Sequence, residues 1–204
     1  LDDVTITRAL VNSFTVKTLP GFGIDTSITG GDAMFLQSNG NLNFIDRNRS
    51  NITGADAGIV AQATGSGALS IATSGAVTGI NDPGIIAINT GTNLTISTAS
   101  VSGGDGGIEA MNLGSGAMKI TAGGPVITGA GNGIFAQNMG TSLTITTGSV
   151  SGGALGIGGL NFGSGALAIT ANGTVAGAVA GIIGLNGGTS LTITAADVSG
   201  GQFG

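Results

Sequence analysis

The chain of 204 residues contains no cysteine, histidine, tryptophan or tyrosine. Without cysteine it has no disulfide, no thiolate metal site and no thiol nucleophile. Without histidine the usual catalytic triads lose their base, and the single lysine of the regular region, Lys119, is a poor substitute. Charge is scarce as well: five basic residues stand against ten acidic ones, for a net charge of −5. Five cations make no patch able to neutralise a phosphate backbone, which argues against nucleic acid as a partner. No apolar run approaches the ~18 residues of a membrane helix.

What the chain does have is glycine, 42 residues of it, within a sequence that is 41% hydrophobic with a mean hydropathy of +0.47. The glycines do not fall at every third position, which excludes a collagen helix. Intrinsic disorder calls for low hydrophobicity, which this composition does not offer. Short β-branched runs closed by glycine read instead as many short strands.

Those strands repeat. The stretch Gly133 to Gly152, GIFAQNMGTSLTITTGSVSG, supplies the pattern: Gly-Ile, an Asn four residues after the Ile, a Gly two residues later, then Leu-x-Ile and Val-x-Gly. The Ile recurs at Ile59, Ile85, Ile108, Ile134, Ile157 and Ile182, and the copies lie 23 to 26 residues apart. The Leu position reads Leu69, Leu94, Met118, Leu143, Leu167 and Leu191, and the Val position Val77, Val101, Val126, Val150, Val175 and Val198. A higher-order repeat pairs the copies, since the G-S-G-A units place Leu69, Met118 and Leu167 at intervals of 49 residues. Such a period signals a solenoid rather than a globular core.

Each unit holds three short strands separated by glycine-containing turns, the arithmetic of a three-sided parallel coil. The expected fold is all-β: a right-handed, single-stranded parallel β-helix of about eight rungs of roughly 24 residues, forming a rod about 38 Å long. In Leu-Thr-Ile-Thr, Leu143 and Ile145 should point inward, and Thr144 and Thr146 outward. Asn89, Asn112, Asn138, Asn161 and Asn186 should stack as an amide ladder at one bend, broken only in the first regular copy, which has Ala63. The following glycines (Gly65, Gly91, Gly114, Gly140, Gly163, Gly188) should supply the positive φ that the corner needs. Residues 54–204 make six regular rungs. Residues 1–53 are irregular rungs or a cap, with Met34, Leu42, Phe44 and Ile52 at the repeat positions and Ser38 in place of Asn.

With its neighbours GIIAINTGTNLTISTASVSG and GIEAMNLGSGAMKITAGGPVITG, this motif resembles the β-helical passenger domains of bacterial autotransporters (type V secretion) over about residues 30–204. The resemblance implies a signal peptide before the chain and a β-barrel translocator after it, and the chain is read as a fragment, or a processed mature region, of a longer protein whose only tie to a membrane is that barrel. It further implies display at the bacterial cell surface or release, and action as an adhesin or virulence-related host-receptor ligand. Partners would be a host-cell surface protein, the matrix, or a second copy. The alternatives are a polysaccharide-degrading β-helix enzyme and a spacer carrying another domain. The enzyme lacks the clustered carboxylates and bases that such lyases use.

Two sets of residues stand out for binding. Asp56, Asp82 and Asp105 each precede a rung's Ile by three residues, so they should form one column. Stacked carboxylates repel one another or recruit a cation such as calcium, although aspartate is also an ordinary turn residue. No cofactor is otherwise expected, and no residue is assigned to catalysis. The second set lies on the first strand of each rung. If Ile, Ala and Asn of GIxAxN point inward, then Ile86, Ile88, Met111, Phe135, Leu160, Ile183 and Leu185 line an exposed apolar stripe, of the kind that marks a partner surface. With the opposite parity they would fill the core.

Overall fold

A computed structural model describes residues 4–8, 13–17, 26–27 and 30–202. Every regular element among them is a β-strand, and every strand pairing is parallel. The first strands of the rungs are Val4–Arg8, Met34–Ser38, Ile59–Ala63, Ile85–Asn89, Ile108–Asn112, Ile134–Asn138, Leu155–Asn161 and Ala180–Asn186, stacked in that order as an eight-stranded sheet. The second strands begin with Ser13–Lys17 and Asn41–Asp46 and continue through Leu69–Thr73, Leu94–Thr98, Met118–Ala122 and Leu143–Thr147. Third strands run from Thr26–Ser27 and Ile52–Gly54 to Ala76–Gly79, Ser100–Gly103, Val126–Thr128 and Val150–Gly152. In the last two rungs the second and third strands merge, as Leu167–Gly177 and Leu191–Gly200, which joins both stacks into one fourteen-stranded sheet. Eight first strands bracket seven full turns of a parallel β-solenoid, consistent with the expected right-handed β-helix.

The register follows the sequence repeat. Ile85, Ile108, Ile134, Ile157 and Ile182 sit opposite one another from rung to rung, as do Leu94, Met118, Leu143, Leu167 and Leu191. A parallel stack with one face buried allows only this register, because a slip by one residue would turn every inward side chain to solvent. The stretch 34–54 obeys the same rule: Met34 pairs with Ile59, Leu42 with Leu69, Phe44 with Ile71, and Ile52 with Val77. Before it, Val4 pairs with Met34 and Phe14 with Leu42, so the coil continues into the first residues. The cap reading also drew on residues 9–12, 18–25 and 28–29, which lie outside the described residues.

The core is one continuous column of apolar side chains, narrow enough that each rung contributes only a few. In the rung that begins at Ile134 these are Ile134, Ala136, Leu143, Ile145 and Val150, all buried. Burying a side chain of Ile, Leu or Val contributes roughly 1.5–3 kcal/mol, and most of these contacts are with the rungs on either side.

One sequence expectation fails in an instructive way. The corner glycines do not adopt positive φ; among the described glycines only Gly31 does. Their requirement is steric instead. A Cβ at Gly91 would be driven into the carbonyl oxygen of Gly67, one at Gly114 into that of Gly91, and one at Gly140 into that of Gly116. Backbone packs on backbone at this corner, and only hydrogen leaves room for it.

Candidate functional site

The asparagines form the first feature. Asn89 Nδ2 donates to Asn112 Oδ1 at 2.8 Å, Asn112 to Asn138 at 2.9 Å, Asn138 to Asn161 at 2.8 Å and Asn161 to Asn186 at 2.8 Å. The second amide proton goes to a carbonyl of the same corner: Gly116 O at 3.1 Å from Asn112, Ser142 O at 3.2 Å from Asn138, and Gly165 O at 3.2 Å from Asn161. Asn89, Asn112, Asn138 and Asn161 are fully buried, so these bonds answer a desolvation cost that water cannot meet. At Ser38 the hydroxyl takes over the turn, accepting from Gly40 N at 3.1 Å. This ladder is architecture, repeated on rung after rung.

A second set of amides went unnoticed in the sequence. Asn41 Oδ1 accepts from Ala68 N at 2.8 Å, and Asn93 Oδ1 from Ala117 N at 2.8 Å, each reaching forward by one rung. The Asn93 carbonyl occupies the space that a Cβ at Gly116 would need. Two of the three G-S-G-A rungs thus follow a rung with Asn before its Leu, Asn41 and Asn93; before the third, Ser142 stands at that place. The visible signal was Asn-Leu in one copy followed by Gly-Ala-Leu or Gly-Ala-Met in the next.

The outward positions of the first strands form two columns. One runs Val60, Ile86, Glu109, Phe135, Gly158, Ile183; the other runs Gln62, Ile88, Met111, Gln137, Leu160, Leu185. The parity is therefore outward, and the core is filled without these residues. Ile86, Ile88, Met111, Phe135 and Leu160 are half-buried against one another, while Ile183 and Leu185 are exposed at 42% and 52%. Leu113, Met139 and Phe162 add a third, exposed column just past the asparagine corner. Phe135 leans toward the following rung, where a Cβ on Gly158 would lie 3.1 Å from its Cδ2. Between Ile86, Ile88, Glu109, Met111, Asn132 and Phe135 the surface sinks into a depression of about 270 Å³.

Glu109 is the one charged side chain within that depression. Its carboxylate lies at the corner beside Pro83 and Gly106; a Cβ on Gly106 would come 3.4 Å from Oε1 and 3.1 Å from Pro83 Cγ. Burial against the apolar wall raises its pKa, and the nearby Asp105 and Asp82 carboxylates raise it further. Asp56, Asp82 and Asp105 stand on loops whose backbones stack, Gly58 N on Pro83 O at 3.4 Å and Gly84 N on Gly106 O at 3.0 Å. Asp56 Oδ1 accepts from Asn81 Nδ2 of the following rung at 3.5 Å, and Asp82 and Asp105 are exposed. Among the described residues no three His, Cys, Asp or Glu side chains are grouped closely enough to hold a metal ion. Asp82 and Asp105 also act on Glu109, which stands on the outward face between Ile86 and Phe135 and was not among the residues singled out from the sequence.

No protein-family model, no curated protein and no solved structure matches this chain.

Proposed function

We propose that this coil is the passenger of a bacterial autotransporter, displayed at the cell surface or released, and that it works by contact through the outward face of its first strands. It would then serve as an adhesin or host-receptor ligand, binding a host-surface or matrix protein or a second copy of itself. The observation that carries this reading is the apolar outward surface: Ile86, Ile88, Met111, Phe135 and Leu160 in adjoining columns, continued by exposed Leu113, Met139 and Phe162. The core does not need these side chains, and contiguous apolar surface of this kind usually marks a partner. The repeat motif supports the family through its resemblance to such passengers.

Replacing Phe135 and Ile86 together by Ser tests the reading. Both are half-buried, so the double variant should fold and lose about 1–2 kcal/mol of stability. Attachment of the purified chain to cultured host cells, or its self-association in sedimentation equilibrium, should weaken at least about tenfold, since aromatic and aliphatic anchors dominate contact surfaces. A folded variant that attaches and self-associates like the parent would remove the contact reading and favour a spacer.

A further inference from the structure

The depression on the first-strand face combines three kinds of wall. Ile86, Ile88 and Met111 make an apolar floor, the Phe135 ring closes the C-terminal side, and the Glu109 carboxylate stands toward the corner occupied by Pro83 and Gly106. Asp82 and Asp105 lie close enough to Glu109 to act on its charge, so the field at that end is negative. No basic side chain lines this place. Lys119, the one basic residue in the three rungs that form the depression, is exposed on the second strand Met118–Ala122, which belongs to the other sheet. An apolar channel ending in a carboxylate, with an aromatic face at its side, is complementary to a long aliphatic stem bearing a cationic head.

Resting on the contact reading above, we propose that this depression receives a lysine or arginine side chain from a partner protein, the stem lying on Ile86, Ile88 and Met111 and the head meeting Glu109. The occupant is a side chain of a polypeptide rather than a free amine because the depression is one point on a longer apolar stripe. Leu113 and Met139 on one side and Leu160 on the next rung give flanking residues of the same partner a surface to cover. Glu109 must be ionised to pair. With burial, Asp105 and Asp82 all raising its pKa, binding weakens as pH falls through that raised value, at a higher pH than for an ordinary carboxylate. The charged groups facing it are Asp82 and Asp105 on the preceding corner loops, and a bound cation relieves their mutual repulsion.

The probe is a fluorescein-labelled octapeptide of alternating lysine and alanine, titrated into the full chain at low salt and followed by anisotropy and by methyl shifts of Ile86, Ile88 and Met111. The peptide should bind and move those methyls. Acetylating its lysines, or substituting Glu109→Gln, should weaken binding about tenfold. Phe135→Leu should weaken it about two- to fivefold, and Lys119→Gln should leave it unchanged. Besides failure of the peptide to bind, four results would overturn the proposal: equal binding of the acetylated peptide, unchanged binding to Glu109→Gln, n-butylamine binding as tightly as the peptide, or self-association of the chain that Glu109→Gln abolishes. The last would make a second copy the occupant. Should the peptide fail while Phe135→Ser with Ile86→Ser still abolishes cell attachment, only this inference falls. Should the peptide bind at Glu109 while that double variant attaches normally, the contact function falls and the cation site stands.

Discussion

The outward faces of the first and second strands share one scaffold and carry different chemistry. Both belong to five-residue strands whose alternate side chains are buried, stacked in the same register on the same core. On the second strands the outward positions read Ser70, Thr95, Lys119, Thr144, Ala168 and Ala72, Ser97, Thr121, Thr146, Thr170: Lys119 apart, small and mostly hydroxylated. On the first strands the same kind of position holds Ile, Phe, Met, Leu, Gln and Glu, with large changes from one rung to the next. The core cannot account for this difference, because neither face fills it. Outward positions are where this fold can vary at small cost to the core, and the first-strand face is the one that differs from rung to rung.

The hardest way to break that comparison is to loosen the corner joining the two faces. Asn138→Ala removes a buried amide that accepts from Asn112 and donates to both Asn161 and Ser142 O. It should cost roughly 1–3 kcal/mol and lower the denaturation midpoint. An unchanged midpoint would mean that the ladder adds nothing to the stack.

A smaller effect of opposite sign is expected inside the second strand. Thr147 is buried and its hydroxyl has no partner, because its neighbours in the column are Ala122 and Ala171, whereas Thr73 and Thr98 bond one another at 2.9 Å. Thr147→Val keeps the shape and removes the unpaired group. It should raise stability by about 1 kcal/mol, read from the same denaturation curves, and a loss would point to an undetected partner.

Smaller again is the effect of Glu109→Gln on folding. Because the native pKa is raised, the carboxyl contributes stability that is full below the unfolded pKa and is lost as pH rises through the folded one. Stability of the parent should therefore decline across that window, whereas the variant should show a flatter profile and be no less stable at neutral pH. Thermal melts at several pH values decide the matter, and a parent without such a slope would mean that Glu109 is fully solvated. Least of all should change in Thr144→Ser and Thr192→Ser on the second-strand face, within about 0.5 kcal/mol and with no effect on attachment. A clear loss of binding there would erase the distinction between the two faces.

Much of this architecture was legible in the residues. The spacing of Gly-Ile, Asn and Leu-x-Ile was enough to place Ile on Ile, Asn on Asn and Leu on Leu, since a coil with a fixed rung length turns a linear period into a spatial column. Even the loose match of 34–54 held its register, from Met34 over Ile59 to Ile52 over Val77. What could not be read is what depends on two rungs at once. The corner glycines looked like a matter of φ, yet the constraint is the carbonyl of the rung before, invisible in any one copy. The aspartates read as a column, of turn residues or around a cation, and nothing in that row told that Asp82 and Asp105 also act on Glu109, which lies on a neighbouring strand. The parity of GIxAxN stood open between two readings until the core was seen to close without Phe135.

The asparagine ladder carries one more implication. Asn112, Asn138 and Asn161 each give one amide proton to the following rung and accept one from the preceding rung, so the column is a row of dipoles all pointing one way, from Asn89 to Asn186. Such dipoles polarise one another, and a link in the middle is held more firmly than a link at either end. The run also has an internal start: Asn89 meets Ala63, which offers no amide, so the rungs before it stand outside the electrical unit. On warming, the rungs linked through Asn112, Asn138 and Asn161 should therefore open together, whereas the rungs before Asn89 can open apart from them. Amide hydrogen exchange would record this as similar protection at Asn112, Asn138 and Asn161 and lower protection at Ala63.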